Sequence, residues 1–365
     1  MHLGIVFGVL GRLTLMFAGV LVVPMGVALA YDSVHPGHDE PFAFLVTSLM
    51  SAVVGGLLIW RFPVQADQFG HREGFAVVAF GWMLLSLLGA IPYMLVGGSH
   101  YDGSPLALPF VDAAFETMSG LTTTGATVLV DIEAYGHGIL FWRSMTQWLG
   151  GMGIIMLAVA ILPSLGAGGY QLMRAEIPGP TADRLAPRVA QTAKILWSVY
   201  LALTLLQVLL LWAPSWFVEL PPLTPDTVAA DQASTISAAS NLSEPAGYAH
   251  YRSGTAYMDL FESVCHAMTT LPTGGFSTRN ASLGAFTAYH QYVVIIFMFL
   301  AGMNFLLHWH VLLGRPAYVW RNSEFRLYAG TVLVVTLTIT LILAALPVAP
   351  NAGHGDDRAG SIPLL

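Results

Sequence analysis

Long apolar runs alternate with short polar segments along most of this chain. A helix needs about 20 apolar residues to cross a bilayer. Seven runs meet that criterion: 4–31, 42–60, 74–97, 144–163, 195–213, 292–313 and 327–349. The pattern predicts an all-α polytopic membrane protein with about seven transmembrane helices. The first run has an alternative interpretation as a cleaved signal peptide, since residues 13–30 end in Ala-Leu-Ala.

Two of the intervening segments contain a second kind of element. Residues 111–121 and 258–271 are mostly apolar and helix-permissive, and each leads into Thr and Gly residues before the next apolar run. A helix that enters the membrane, turns and leaves on the same side fits this order. Irregular backbone at membrane depth survives only where protein or a watery cavity surrounds it. The sequence therefore predicts two re-entrant pore helices followed by Gly/Thr filter loops.

The glycine spacing indicates an internal repeat. Gly125 and Gly275 are 150 residues apart, and they precede Gly151 and Gly302 by 26 and 27 residues. This register, which we prefer, also pairs Glu116 with His266 and Thr123 with Thr273. A competing register pairs Phe115-Glu116 with Phe261-Glu262 and shifts the loops by four residues.

The repeat predicts five segments along the chain. They are two extra N-terminal spans (1–72), a first span–loop–span repeat (73–164), a cytoplasmic connection (165–190), a second repeat (191–314) with a long outer insertion (214–256), and the start of an incomplete third repeat with a tail (315–365).

Composition supports a membrane protein and excludes several other classes. The chain is 55% hydrophobic and 10% charged, against about 25% charged residues in soluble domains. No basic stripe suggests nucleic acid, and the single cysteine excludes a multi-cysteine metal site. His308 and His310 are two positions apart, so they do not face one metal site on a helix. We find no His-Glu-x-x-His pattern and no paired catalytic groups, so we expect no enzyme activity.

The basic residues predict a cytoplasmic N-terminus. With seven spans threaded from that side, three basic residues lie in outer segments: Arg252, Arg279 and Arg358. Nine lie in inner segments: Arg61, Arg72, Arg174, Arg184, Arg188, Lys194, Arg315, Arg321 and Arg326. This asymmetry follows the positive-inside rule. Both Gly/Thr segments then lie outside.

Gly/Thr loops of this kind suit a dehydrated cation. A bare buried charge is very costly, and backbone carbonyls around a common axis can replace the water shell of the ion. Glycine permits the backbone angles that aim successive carbonyls the same way. The negative C-terminal end of the preceding short helix would also favour a cation.

Several motifs resemble the Trk/Ktr/HKT superfamily of potassium transporters, and most closely the membrane subunit of the bacterial Trk potassium uptake system. They are FETMSGLTTTGAT (115–127), QWLGGMGIIMLAVAILP (147–163), AEIPGPTADRLAPRVAQTAK (175–194), CHAMTTLPTGGFSTRNAS (265–282) and FMFLAGMNFLLHW (297–309). In that family four span–loop–span repeats surround one pore. The resemblance implies a potassium ion and no covalently bound cofactor. It implies these filter residues: Thr122, Thr123, Thr124, Gly125, Pro272, Thr273, Gly274 and Gly275.

Four further residues are candidates for supporting the pore: Glu116, Arg143, Gly151 and Gly302. Glu116 stabilises the filter from behind, adds negative potential at the mouth, or is simply a polar helix end. Arg143 tunes cation passage, or it anchors a span by reaching the membrane interface. Gly151 and Gly302 occupy matched positions after the two loops, and the alternative for Gly151, together with Gly150, is close packing of helices. The sequence leaves these alternatives open.

The resemblance also implies partners and a location. Family members of this type form homodimers in the bacterial inner membrane, embedded in the lipid bilayer. They associate with a cytosolic nucleotide-binding Trk regulatory subunit. This chain carries two of the four expected loops, so we expect it to be incomplete and not to support potassium uptake alone. The alternative is a non-conducting regulatory or assembly half-protein.

Overall fold

The computed structural model of the chain describes residues 2–31, 37–63, 71–100, 103–153, 189–217 and 257–345. These parts are helical except for connecting turns and one isolated antiparallel bridge between Ser99 and Pro105. The chain divides into two units, residues 1–309 and 310–365. Most of the predicted connection (165–190), the insertion (214–256) and the final tail lie outside the described residues.

The first unit contains most of the helices. In chain order they are α1 (Leu3–Val20), α2 (Val22–Tyr31), α3 (Glu40–Arg61), α4 (His71–Gly89), α5 (Ile91–Leu95), α6 (Phe110–Leu121), α7 (His137–Gly151), α8 (Val189–Trp212), α9 (Leu260–Thr270), α10 (Ala288–Ala301) and α11 (Phe305–Leu312), the last of which ends in the second unit.

Five helical segments of the described chain are long and apolar enough to cross a membrane. They are Leu3–Tyr31, Glu40–Arg61, Arg72–Leu95, Lys194–Trp216 and Ser323–Ala345. Each corresponds to one of the seven predicted runs. The chain is therefore a helical membrane protein with several spans.

The two remaining runs differ from the prediction. For the run 144–163, the helix begins earlier, at His137, and ends at Gly151, and residues 154–163 lie outside the described part. The run 292–313 is divided, because α10 ends at Ala301 and α11 begins at Phe305. The interruption falls on Gly302-Met303-Asn304, and the Gly302 N–H still donates to the Met298 carbonyl at 3.1 Å.

Proline explains two further breaks inside the long spans. The first span changes from α1 to α2 at Leu21, and Pro24 follows in the first turn of α2. The third span changes from α4 to α5 at Ala90, and Pro92 is the second residue of α5. Proline lacks a backbone donor and fits the first turn of a new helix. The apolar pattern alone gives the length of each span but not these interruptions.

The N-terminal helices pack against α7. Phe17 of α1 lies edge-on to Trp142 of α7, with 5.6 Å between ring centroids, and both side chains are fully buried. Glu40, the first residue of α3, accepts hydrogen bonds from the backbone N–H groups of Gly138 (2.8 Å) and Ile139 (3.3 Å). A carboxylate at a helix N-terminus satisfies otherwise unpaired donors. The two N-terminal spans thus fix the start of α7.

The second unit contains α12 (Ala317–Arg321) and α13 (Ser323–Ala345). The apolar side chains of α13 are exposed, and Phe325 is its only buried residue. Phe325 packs edge-on against Trp320 of α12 at 5.4 Å between centroids. An apolar helix with an exposed surface of this kind is typical of a segment surrounded by lipid.

Candidate functional site

The two short helices begin at positions 150 residues apart. Helix α6 begins at Phe110 and α9 begins at Leu260. Their preceding residues are Pro109 and Asp259, and the Asp259 side chain accepts a hydrogen bond from the Glu262 backbone N–H at 2.7 Å. Such an N-cap satisfies one of the free donors of the first turn. Each short helix leads directly into a Gly/Thr segment, which we call the first loop (residues 122–127) and the second loop (residues 272–277).

The two loops have the same unusual backbone. Thr123 and Thr273 have φ values of 54° and 56°, and Gly125 and Gly275 have φ values of 75° and 87°. Positive φ is strained for a β-branched residue such as threonine. The residue between the threonine and the glycine, Thr124 in the first loop and Gly274 in the second, does not have positive φ. The same alternation at positions 150 residues apart is a geometric repeat, in the register given by the glycines.

Hydrogen bonds tie each loop to its short helix in the same way. The N–H groups of Thr124 and Gly125 donate to the Ser119 carbonyl at 2.9 and 3.5 Å. In the second loop, those of Gly274 and Gly275 donate to the Thr269 carbonyl at 3.0 and 3.3 Å. Because the N–H groups point back at the helix end, the loop carbonyls are free to point elsewhere.

Glu116 and His266 occupy the same place behind the two loops. Glu116 is fully buried and accepts hydrogen bonds from the Thr127 hydroxyl (2.9 Å) and the Val128 N–H (3.0 Å). His266 is buried and its Nε2 is 3.0 Å from the Ser277 hydroxyl. Both side chains therefore hold the last residue of their loop, Thr127 or Ser277. Full burial contradicts the interpretation of Glu116 as a charge at an open mouth.

Arg143 joins the two repeats. Its Nε donates to Glu116 Oε1 at 2.6 Å and its Nη1 donates to the Ser277 carbonyl at 2.8 Å. Its guanidinium also lies over the Phe276 ring, 3.9 Å from the centroid. The residue is 1% exposed in the middle of α7. The interpretation of Arg143 as an anchor at the membrane interface is wrong, because the helix begins at His137 and the side chain points into the protein.

Gln147 lies one turn after Arg143 and also contacts the second loop. The Phe276 N–H donates to Gln147 Oε1 at 3.1 Å, and the residue is fully buried. A Cβ at Gly274 would overlap the Gln147 amide. Sequence reasoning missed this residue, although it begins the quoted motif QWLGG. Its only signal is a polar side chain within an apolar run.

The loops touch each other at the glycines. A Cβ at Gly125 would overlap the Gly274 carbonyl oxygen, and a Cβ at Gly151 would lie 2.8 Å from Pro272 Cα. Gly151 therefore lets α7 approach the second loop. Gly302 follows the last residue of α10 with ordinary helical angles, φ −73° and ψ −8°. The structure brings Gly125, Gly151, Pro272 and Gly274 together.

Each loop also presents an exposed side. Thr122, Thr124, Thr273 and Gly275 are exposed, whereas Pro272 and Gly274 are buried. The Thr122 and Thr124 hydroxyls are 2.8 Å apart, and the Thr273 hydroxyl donates to the Pro272 carbonyl at 2.6 Å. Carbonyl and hydroxyl oxygens on an exposed side can coordinate a cation. In the described residues, no cluster of His, Cys, Asp and Glu could hold another metal.

A polar network links the two repeats beyond the loops. The Asn280 side chain accepts from the Ile132 N–H (2.7 Å) and donates to the Asp131 carboxylate (2.9 Å). The backbone N–H of Asn280 donates to the Glu133 carboxylate at 3.0 Å. Nearby, Arg279 forms an ion pair with Glu262 at 2.5 Å. Nothing in the periodicity of the sequence could identify Asn280, because its partners are about 150 residues away.

Comparison with known proteins gives one consistent result. A family described as TrkH, cation transport protein, matches residues 41–348. The Trk system potassium uptake protein TrkH of Escherichia coli K12 is 37% identical over 346 residues, which are 94% of this chain and 60% of the relative. The potassium uptake protein TrkG of the same strain is 30% identical over 345 residues, 93% of this chain and 59% of the relative.

A solved structure has the same fold. The crystal structure of the potassium transporter TrkH from Vibrio parahaemolyticus matches with a TM-score of 0.65 and 28% sequence identity. The match covers 94% of this chain and 60% of that protein. The chain thus spans about 60% of the length of the relatives that it matches.

Proposed function

Because this chain belongs to the TrkH family of cation transport proteins, we propose that it supplies two filter loops of a Trk-type pore for potassium uptake. One observation carries the proposal: the alternating backbone of Thr123–Gly125 recurs at Thr273–Gly275, with the same hydrogen bonds to the preceding short helix. Threonine at positive φ is costly, so its presence at both matched positions supports a role that needs this backbone. The names of the relatives support potassium as the ion.

The proposed mechanism exchanges water for protein oxygens. Carbonyls of Thr122, Thr123, Thr124 and Gly125, and of Pro272, Thr273, Gly274 and Gly275, replace part of the hydration shell of the ion. The C-terminal ends of α6 and α9 add negative potential at the loops. Glu116, Arg143, Gly151 and Gly302 support the pore, the first three through the contacts described above. No chemical bond is made or broken.

The proposed architecture follows from this role. The short helices α6 and α9 are re-entrant, two extra spans precede the first repeat, and about seven spans cross the membrane. The segments are those predicted above, 1–72, 73–164, 165–190, 191–314 and 315–365. We propose the bacterial inner membrane, a cytoplasmic N-terminus, a homodimer and a cytosolic nucleotide-binding regulatory subunit as its context.

The function is tested by growth on limiting potassium. A bacterium without its own potassium uptake systems would express either this chain or a chimera in which the chain replaces the matched 60% of the E. coli relative. We expect the chimera to restore growth, Gly125→Ser to abolish it, and Gly103→Ala to leave it intact. Gly103 is a matched control, since it also has positive φ (82°) with no neighbouring atom within 4 Å of an added Cβ.

The two arms separate the candidate functions. Growth with the chimera but not with the chain favours a chain whose loops conduct only together with further repeats, and loss of that growth in Gly125→Ser contradicts a non-conducting assembly protein. A chimera that accumulates in the membrane yet never restores growth contradicts the proposed function. Growth that persists in both Gly125→Ser and Gly275→Ser removes the loops from the mechanism.

Orientation is tested by cysteine labelling. Cys265 is buried and would first be replaced by serine. A cysteine at Val130, which is 89% exposed after the first loop, should react with an impermeant reagent added to intact cells. One at Pro63, which is exposed after α3, should react only after the membrane is opened. The reverse result would invert the proposed threading.

A further inference from the structure

We propose that Gln147 is a specificity-determining residue, which holds the second loop at the spacing that favours potassium over sodium. This inference rests on the proposed function, because it assigns a role within the same filter. It concerns a side chain that supplies no oxygen to the exposed side of the loops. Gln147 instead acts through the backbone of its neighbours, so it is a positioning residue.

The first argument is the pair of contacts that α7 makes with adjacent groups of the second loop. Arg143 and Gln147 are four residues apart and so lie on one face of the helix. Arg143 donates to the Ser277 carbonyl, and Gln147 accepts from the Phe276 N–H. The second loop is therefore held by a donor and an acceptor from the other repeat. Two contacts one turn apart fix both the position and the tilt of this backbone.

The second argument is the close approach at Gly274. A Cβ on Gly274 would overlap the Gln147 amide, and a Cβ on Gly125 would lie 3.7 Å from its Nε2. Gln147 thus lies where the two loops meet. Gly274 does not have positive φ, so its backbone does not require glycine. The presence of Gln147 explains the glycine, and a shift of this amide would move the Gly274 carbonyl.

The third argument separates positioning from stability. Gln147 Nε2 is buried and has no hydrogen-bond partner among the described residues. A buried unpaired donor destabilises the folded state. An apolar side chain of the same length would remove this unpaired donor but would leave the buried Phe276 N–H without its acceptor, so one unpaired donor takes the place of another. We therefore expect a substitution that changes ion preference far more than it changes folding.

The repeat supplies a natural reference. Gly151, the last residue of α7, and Gly302, which follows α10, are 151 residues apart, so Gln147 corresponds to Met298 of α10. Met298 is 52% exposed and has none of these contacts. Gln147→Met thus places in the first repeat the residue that the second repeat already carries. A matched control is Gln207→Met in α8, because Gln207 is also fully buried with an unpaired amide.

The test is hydrogen–deuterium exchange in lipid nanodiscs of the chimera described above, called wild type where it carries no substitution, in potassium, sodium or choline chloride. In the wild type, potassium should slow exchange in both loops at a lower concentration than sodium. In Gln147→Met, exchange at residues 274–277 should rise about fivefold, as expected for one lost hydrogen bond. The ratio of half-effective sodium and potassium concentrations should fall by a similar factor. Gln207→Met should match the wild type on both measures.

The outcomes separate this inference from the proposed function. Exchange and ion preference that are unchanged in Gln147→Met overturn the inference while potassium protection of the wild type stands. A wild type whose loops do not respond to potassium contradicts the proposed function, and with it the role in specificity. If Gln147→Met does not accumulate, Gln147→Glu takes its place, since it keeps the length and an acceptor oxygen. Normal exchange at Phe276 in Gln147→Glu supports the acceptor role, and fast exchange overturns it.

Discussion

The first and second loops share a backbone but not a means of support. Each loop alternates positive and negative φ and bonds to its own short helix. Behind the first loop lies a buried carboxylate, Glu116, and behind the second a buried imidazole, His266. The second loop is also held by Arg143 and Gln147 of the first repeat. At the corresponding positions of the second repeat the chain has Val294 and Met298.

This difference shows that the two repeats differ most in the side chains through which they contact each other. Backbone geometry is the shared part, because the proposed filter depends on it. The supporting side chains differ, since each loop faces a different neighbour. Substitutions at equivalent positions should therefore change the free energy of unfolding by different amounts. The burial and the contacts of each residue predict which change is larger.

The largest expected effect is that of Arg143→Met. Removing one partner of a buried ion pair leaves an uncompensated charge, which costs about 3–5 kcal/mol. The comparison is Arg279→Met in the second repeat. The Arg279 side chain is 25% exposed in its pair with Glu262, so we expect about 1 kcal/mol or less there. Thermal unfolding of the purified chains measures both.

A second variant checks the cause. Glu116→Gln combined with Arg143→Met should recover part of the loss, because no buried carboxylate is then left unpaired. Equal destabilisation by Arg143→Met and Arg279→Met would contradict the asymmetry between the repeats.

The glycines at the two positive-φ positions should also differ. Gly125→Ala and Gly275→Ala each place a side chain in a left-handed conformation, at a cost of about 1–2 kcal/mol. At Gly125 the added methyl also overlaps the Gly274 carbonyl, whereas nothing lies within 4 Å of it at Gly275. Overpacking adds about 1–3 kcal/mol. Gly103→Ala, with φ 82° and open space, should resemble Gly275→Ala in thermal unfolding. A smaller loss at Gly125 than at Gly275 would contradict the contact between the loops.

The next comparison concerns the residue between the two positive-φ residues of each loop. Thr124 is exposed, while the equivalent Gly274 is packed against Gln147. Gly274→Ala should cost about 1–3 kcal/mol through overpacking. Thr124→Ala should cost less than about 1 kcal/mol, because an exposed hydroxyl is lost. Equal stability of the two variants would mean that Gln147 moves aside freely.

Among the contacts between the two repeats, Asn280→Ala has the smallest expected effect. The Asn280 side chain makes two hydrogen bonds to the first repeat, with Ile132 and Asp131. The residue is exposed, so water can replace these bonds and the loss should be about 1 kcal/mol. Limited proteolysis between residues 128 and 135 should become faster. An unchanged cleavage rate would show that the network does not order the first repeat.

Much of the fold follows from local sequence. Five of the predicted apolar runs are long apolar helices, because length and hydropathy are properties of single segments. The glycine register was also accessible, since positive φ at Gly125 and Gly275 is a local requirement. The interruption at Gly302 was not predicted, because the apolar composition continues through it.

The supporting residues were less accessible to prediction. The apolar run 144–163 begins one residue after Arg143, because the first turns of α7, which begin at His137, are more polar. The partners of Arg143 come from α6 and from the second loop, more than 25 and 130 residues away. Gln147 and Asn280 contact residues of the opposite repeat. Hydrophobic periodicity describes which face of a helix is apolar, and it carries no information on which distant polar group that face meets.

The most direct test of the central claim is anomalous diffraction from crystals of the chimera described above, grown in rubidium, which replaces potassium and can be located by its scattering. The account predicts a rubidium peak on the exposed side of both loops, within coordinating distance of carbonyls from residues 122–125 and 272–275. It also predicts a weaker peak for crystals of Gly125→Ser. A well-ordered structure in which rubidium is absent from both loops, or lies against only one of them, would contradict a shared filter.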